Sequence, residues 1–432
     1  MTDLKEYIPN VSTAIPHLMD KIMVRGEGSY IWDQDGRRYL DFTSGIGVTN
    51  TGHCHPRVVA AIRQQAGLFL HAQQNVAHHE PMLRLIKALR EVLPPNLDTF
   101  FFANSGAEAV EASVKFARQF TNKTNIIAFQ GAFHGRTAGT MSLTASKTIY
   151  RSGYQPLMAG VFFAPYAYCY RCPKAEANPQ QYGFDRDCNW AIEQVRFLLK
   201  SQTAPEETAA ILVEPVLGEG GYIVPPKRFI QGLRQLCNEQ NLLLIMDEIQ
   251  SGFGRTGRFF AFEHFNIVPD ILIVSKALAS GMPLSSVVTR RELMNRTKAG
   301  SHGGTFGGNA IACAAAEATV QVLREERLVE NADRLGQILL LRLKAIQERH
   351  PSIGDIRGLG LMVGVEFVIP NSRTPDADKT KKVQKACLEE GLVLLTCGTY
   401  DNIIRWIPPL IIKDKELEEA LNIFNKVMER IG

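Results

Sequence analysis

The chain has 432 residues, 45% of them hydrophobic and 21% charged, the balance of an ordinary soluble globular protein with room for two or three domains. Its net charge of +4 comes without any long Lys/Arg block, so composition gives no reason to expect nucleic acid as a partner. No apolar run approaches the roughly 18–20 residues that span a bilayer, and the first residues, MTDLKEYIPN, lack the basic and apolar regions of a secretory signal. The expected location is the cytoplasm, with no membrane partner.

In chain order, Ser29–Trp32 and Tyr39–Phe42 flank Asp33-Gln34-Asp35-Gly36, the pattern of a hairpin with an Asp-Gly turn. From about residue 56, strands and helices alternate. Val58–Leu70 and Met82–Val92 carry helical periodicity. Thr99–Phe102 reads as a short buried strand, and Asn104-Ser105-Gly106 opens a helix running from Ala107 to Phe120. Strands at Asn125–Phe129 and Ala210–Val213, a helix at Lys227–Asn238, and strands at Leu242–Met246 and Ile271–Val274 follow. The last two are unbroken apolar runs, as expected of strands covered on both faces. Past residue 320 the texture shifts to long amphipathic helices, Ala310–Arg327 and Val329–Arg349. Strand Leu361–Phe367, helix Asp378–Glu390, strand Asn402–Trp406 and helix Asp414–Ile431 come next. The expected division is an N-terminal segment (1–55) joining a small domain, a large domain (56–320) and a C-terminal small α+β domain (321–432).

Five short segments carry chemistry, each at or just after a strand end. Ser105-Gly106-Ala107-Glu108 begins a helix whose unpaired amides and positive dipole end suit a phosphate; standing alone it reads as a plain N-cap with Glu108 closing a capping box. Phe133-His134-Gly135-Arg136 offers an aromatic ring and a guanidinium fork that matches a carboxylate. Glu214 and Glu219 stand on the glycine-rich turn after Val213, and Asp247 to Gln250 end the Leu242–Met246 run. Lys276 ends the Ile271–Val274 run. A lysine there either reaches water or a partner, or is held neutral and reactive by desolvation. Ligands of open α/β sheets bind outside the carboxyl ends of the strands. A phosphate cradle, a stacking ring, a carboxylate and a lysine at one sheet edge match the needs of pyridoxal phosphate.

The segments NSGAEAVE, FHGRT, EPVLGEGG, DEIQSGFGRTG and SKALASGMPLS, in this order and spacing, resemble the class III (omega) aminotransferases of the fold type I pyridoxal-phosphate family, over nearly the whole chain from about Gly26. The resemblance implies a large domain with a mostly parallel seven-stranded sheet, a smaller α+β domain, and pyridoxal 5'-phosphate as cofactor. It also implies roles. Lys276 is the Schiff-base lysine and proton shuttle, Asp247 pairs with the ring nitrogen, and Gln250 approaches the ring hydroxyl. Phe133 stacks on the ring, and Ser105, Gly106 and Ala107 cradle the phosphate. His134 and Glu214 belong to the same cofactor set. Thr305 would reach the phosphate of the neighbouring subunit, making a homodimer, or a dimer of dimers, with its active site at the interface.

The segment Asp41–His53 is most similar to 4-aminobutyrate aminotransferases. That likeness implies that Ile46 lines the substrate pocket, that Arg136 binds the distal carboxylate, and that Arg405 binds the α-carboxylate of glutamate while Glu219 neutralises it otherwise. The reaction expected is ping-pong transfer from an ω-amino acid donor to a 2-oxo acid acceptor such as 2-oxoglutarate. An acetylornithine, ornithine or diamine aminotransferase, or a racemase or epimerase of the same fold, are the alternatives. Two departures bear on substrate: Gly307-Gly308-Asn309-Ala310 lacks the family's usual proline after the asparagine, and a Cys169-x-x-Cys172 loop followed by Cys188 is inserted. Without a second such pair the cysteines make no zinc site on their own; reduced thiols on a surface loop, a metal, a cluster or a disulfide all stay open. Gly358–Gly364 mimics a dinucleotide fingerprint with its last glycine one place late, and is read as a small-domain turn between a helix and a strand. His53-Cys54-His55 mimics a metal clip, with no carboxylate or further histidine at useful spacing in the sequence, and His78-His79 is read as surface.

Overall fold

A computed structural model describes residues 4–174 and 189–431. The N-terminal strands are β1 (Met23–Glu27), β2 (Tyr30–Asp33) and β3 (Arg38–Asp41). The strands of the large sheet are β4 (Thr99–Ala103), β5 (Asn125–Phe129), β6 (Val161–Ala164), β7 (Thr208–Val213), β8 (Leu243–Asp247), β9 (Ile271–Val274) and β10 (Ser285–Thr289). The C-terminal strands are β11 (Ile353–Leu359), β12 (Met362–Phe367), β13 (Leu392–Val393), β14 (Leu395–Cys397) and β15 (Ile403–Trp406).

The large sheet has the order β4-β10-β9-β8-β7-β5-β6. Strand β10 runs antiparallel to β4 and β9, while β9, β8, β7, β5 and β6 pair in parallel. The fold is therefore α/β with a mostly parallel seven-stranded sheet, as the motif order implied. Period-two alternation explains why the strands read as unbroken apolar runs. Ile127, Phe129, Ile211, Val213, Leu244, Met246, Leu272 and Val274 enter one core, with Phe229 and Leu233 of the helix Lys227–Gln240. Ile126, Ala128, Leu212, Ile245 and Ile273 enter the opposite core, under Val110, Val114 and Phe116 of the helix Gly106–Thr121. Both faces are covered, so both parities must be apolar.

Two smaller sheets complete the molecule. One has the order β1-β2-β3-β13, with β13 parallel to β3, so a C-terminal strand joins the N-terminal hairpin. The other has the order β11-β12-β15-β14. The Gly358–Gly364 run proves to be the turn of the β11–β12 hairpin, between two strands rather than between a helix and a strand. Strands β6 and β10 carried no distinct sequence signal. Asn125–Phe129, Ile271–Val274 and Asp414–Ile431 stand as expected, other element ends shift by up to four residues, and at one of them the shift matters: β8 extends through Asp247.

The two histidine pairs also behave differently from their sequence reading. His53 Nε2 lies 2.8 Å from the Asp41 carboxylate, a partner that spacing did not reveal. His79 is buried, caps the helix Glu80–Arg90 through Nδ1 and bonds the Gly308 carbonyl at 2.8 Å, so it is a core residue rather than a surface one.

Candidate active site

The carboxyl ends of β4, β5, β7, β8 and β9 open onto one cavity of about 330 Å³. Gly106 and Ala107 enter it from the helix after β4, Phe133, His134 and Arg136 from the loop after β5, and Glu214 and Glu219 from the turn after β7. Asp247 and Gln250 follow β8, Lys276 follows β9, and Ile46 arrives from the N-terminal segment. Ser105 and Arg405 flank the lining residues without being among them. Thr305 lies elsewhere, exposed in the glycine-rich stretch before Gly307, and does not line the cavity of its own chain.

At the helix end, Ser105 accepts the Glu108 amide at 3.3 Å and the Glu108 carboxylate accepts the Ser105 amide at 2.7 Å, so the capping box is closed. The hydroxyl of Ser105 is thereby committed. The amides of Gly106 and Ala107, in the first turn, have no intrahelical partner and face the cavity edge. A β-carbon at Gly106 would lie 2.8 Å from Ile249 Cδ1, so any larger residue there would require the Ile249 side chain to shift.

Asp247 is buried and fixed twice: its Oδ2 lies 2.7 Å from His134 Nδ1 and its Oδ1 accepts the Ile249 amide at 3.1 Å. His134 Nε2 is buried without a partner among the described residues, as is Gln250 Oε1. Glu214 accepts the Phe133 amide and the Gly218 amide, each at 2.9 Å, and so ties two cavity loops together. Burial is the largest influence on its carboxyl. Nearby Asp247 adds to it and His134 opposes it, and the net result is a pKa of about 7. Lys276 has a backbone φ of 45°, the left-handed region that a lysine rarely adopts. Desolvation lowers its ammonium below the usual lysine value, against the pull of Asp247 and Glu214.

A second group of charges stands opposite. Arg405 Nη1 is 3.0 Å from Glu219 Oε2, and Arg405 Nη2 donates to the Thr396 carbonyl at 3.0 Å. The Nη1 contact is an ion pair without hydrogen-bond alignment, which leaves that nitrogen and Nε unsatisfied. The Arg136 guanidinium sits 4.9 Å from the ring centre of Tyr150 and 6.0 Å from that of Phe133. Sequence reasoning missed Tyr150 and Lys147. Tyr150 donates to Glu219 Oε1 at 3.0 Å, and Lys147 Nζ lies 3.5 Å from the same oxygen. Both belong to a stretch without periodicity or motif.

Cys169 and Cys172 form no disulfide with each other, and Cys188 lies outside the described residues. Among the described residues no group of three His, Cys, Asp or Glu side chains is placed to hold a metal ion.

A buried acid, a desolvated lysine, free helix-end amides and orphaned polar atoms around one cavity at a parallel sheet edge fit pyridoxal phosphate in both charge and hydrogen-bonding needs. The class these features define is a pyridoxal-phosphate-dependent transaminase. The chain belongs to the class-III aminotransferases, whose family model matches residues 13–428. It is 40% identical to the 4-aminobutyrate aminotransferase of Escherichia coli (strain K12), covering 99% of each chain. It is 39% identical to a 5-aminovalerate aminotransferase of Pseudomonas aeruginosa, over 99% of this chain and 98% of that one. Among solved structures it resembles a transaminase from the marine bacterium Virgibacillus (TM-score 0.90, 28% identity, 99% and 98% covered). It also resembles the Toxoplasma gondii ornithine aminotransferase with pyridoxal phosphate at partial occupancy in its active site (TM-score 0.84, 30% identity, 99% and 93% covered).

Proposed function

We propose that this aminotransferase moves the amino group of an ω-amino acid, such as 4-aminobutyrate or 5-aminovalerate, to 2-oxoglutarate in a ping-pong cycle. The observation that carries the reading is the Glu219–Arg405 pair facing Arg136 and its rings. An ω-amino acid has one carboxylate, and Arg136 suffices for it while Glu219 neutralises Arg405. A 2-oxo diacid has two, and the second needs Arg405. One pocket thereby serves both substrates without leaving a buried arginine unpaired. The names carried by the relatives above support a donor of this class.

Pyridoxal phosphate, when bound, supplies an electrophilic carbonyl and a ring that withdraws electrons. The protein's part is to hold and to move protons. Lys276, with its lowered pKa, suits both nucleophilic attachment and proton transfer at Nζ. Asp247 would hold the ring nitrogen protonated, Gln250 would meet the ring hydroxyl, and Phe133 would cover the ring face. Gly106 and Ala107 would bind the phosphate, with Thr305 contributed by a second copy in a homodimer or a dimer of dimers. Ile46 would line the donor's path. Residues 56–320 would form the cofactor-bearing domain, with 1–55 and 321–432 together as the smaller one, in a cytoplasmic enzyme. No described helix is long and apolar enough to cross a membrane.

A donor panel with 2-oxoglutarate as acceptor tests this. Glutamate should form from 4-aminobutyrate and 5-aminovalerate. If no ω-amino acid yields glutamate, while an α-amino acid loses its chirality, the reading is wrong and a racemase or epimerase takes its place.

A further inference from the structure

The exchange of carboxylates at Arg405 raises a question of charge. When a substrate carboxylate takes Arg405, the Glu219 carboxylate must leave it. Glu219 is largely buried, its side chain 15% exposed, and an unpaired carboxylate there is strongly unfavourable. Its two oxygens already divide between two cations. Oε2 faces Arg405 at 3.0 Å, and Oε1 faces Lys147 at 3.5 Å with the Tyr150 hydroxyl donating at 3.0 Å. Lys147 is itself anchored, donating to Asp401 Oδ1 at 2.5 Å. The turn that carries Asp401 also holds the Glu219 backbone, through the Gly398 amide on the Glu219 carbonyl at 2.9 Å. The Glu219 backbone is thus held by the same turn that anchors Lys147, and the carboxylate lies between the two cations.

We infer that Lys147 is a positioning residue that receives Glu219 as Arg405 turns to the α-carboxylate of the second substrate. The inference rests on the Arg405 reading proposed above and deepens it. Every buried charge keeps a partner in both states. At rest, Glu219 and Asp401 offset Arg405 and Lys147. With a diacid bound, the substrate carboxylate pairs with Arg405 and Glu219 moves to Lys147. Asp401, 46% exposed at its side chain, is then screened by water. Burial works against the Lys147 charge, but Asp401 and Glu219 outweigh it and keep the ammonium protonated, as a standing receiver must be.

The test is equilibrium binding by calorimetry to the holoenzyme. Glutarate serves as an unreactive dicarboxylate probe and pentanoate as the matching monocarboxylate. Lys147→Met should weaken glutarate by roughly tenfold or more while pentanoate stays within about twofold. Lys147→Arg should restore glutarate affinity. In a Glu219→Gln background, where no anion needs a receiver, Lys147→Met should have no further effect. Equal loss for both ligands, or a glutarate loss that persists in the Glu219→Gln background, would mark a structural role and overturn the inference. So would unchanged glutarate binding in Lys147→Met while Arg405→Met abolishes it. If Arg405→Met itself leaves glutarate binding intact, the Arg405 reading fails and this inference falls with it.

Discussion

Asp247 and His134 meet at 2.7 Å between Oδ2 and Nδ1, both nearly sealed from solvent, one at the end of β8 and the other after β5, across the end of the intervening β7. The contact sets the direction of the carboxylate proposed to face the cofactor ring. It also leaves His134 Nε2 buried and unpartnered among the described residues.

Removing that contact should loosen the acid without unfolding the chain. A hydrogen bond to a charged group contributes about 1.5–3 kcal/mol. His134→Ala should therefore weaken cofactor binding by roughly 10- to 100-fold, read by titrating the cofactor-free protein. An unchanged affinity would show that Asp247 is placed by its own strand alone.

The Glu214 carboxyl predicts how stability depends on pH. It titrates near 7 in the folded cofactor-free protein, against a reference value of 4.5. Between those values the folded chain holds a proton that the unfolded chain has released. Its contribution to stability is therefore fully present below about pH 4.5 and is lost as pH rises through 7. At about 1.4 kcal/mol per unit over about 2.5 units, the effect is at most about 3.5 kcal/mol. Urea midpoints at pH 5 and pH 8 should fall more steeply for the wild type than for Glu214→Gln. Parallel slopes would contradict this, whatever the offset between the two proteins.

Arg255 supplies a stability test away from the chemistry. It is fully buried and donates to the Leu361 carbonyl at 3.0 Å, the Pro408 carbonyl at 2.5 Å and Asn50 Oδ1 at 2.5 Å. Three distant segments thus meet on one guanidinium. Burial lowers its pKa to about 9, which leaves it charged at neutral pH. Arg255→Met relieves that buried charge but strands three acceptors, each costing about 1–3 kcal/mol. A net loss of roughly 2–4 kcal/mol is expected from denaturant unfolding. Retained stability would mean that water or local repacking replaces the guanidinium.

Much of this arrangement was legible before any coordinates. Strand ends that finish in Glu214, Asp247 and Lys276 stand out as a set, since each alone also reads as a solvated charge at a strand end. The large sheet was legible for the same reason, except at its weakest strands. β6 is four residues long and β10 opens on Ser285-Ser286, so neither stands out by hydrophobicity. The second charge layer was not legible. Lys147 and Tyr150 come from an irregular segment, and the loop that carries them reaches Glu219 only through tertiary packing. The same holds for His53 with Asp41 and for His79 with Gly308, pairings that no spacing rule connects. Sequence periodicity reports the element a residue belongs to, and its contacts across elements need the fold.

The claim on which the rest depends is that Lys276 is the residue that carries the cofactor. Borohydride reduction of the holoenzyme, followed by digestion and mass spectrometry, tests it directly. One cofactor adduct is expected, on the peptide bearing Lys276, and none in the Lys276→Ala protein. An adduct on another lysine, or unchanged labelling in Lys276→Ala, would contradict it.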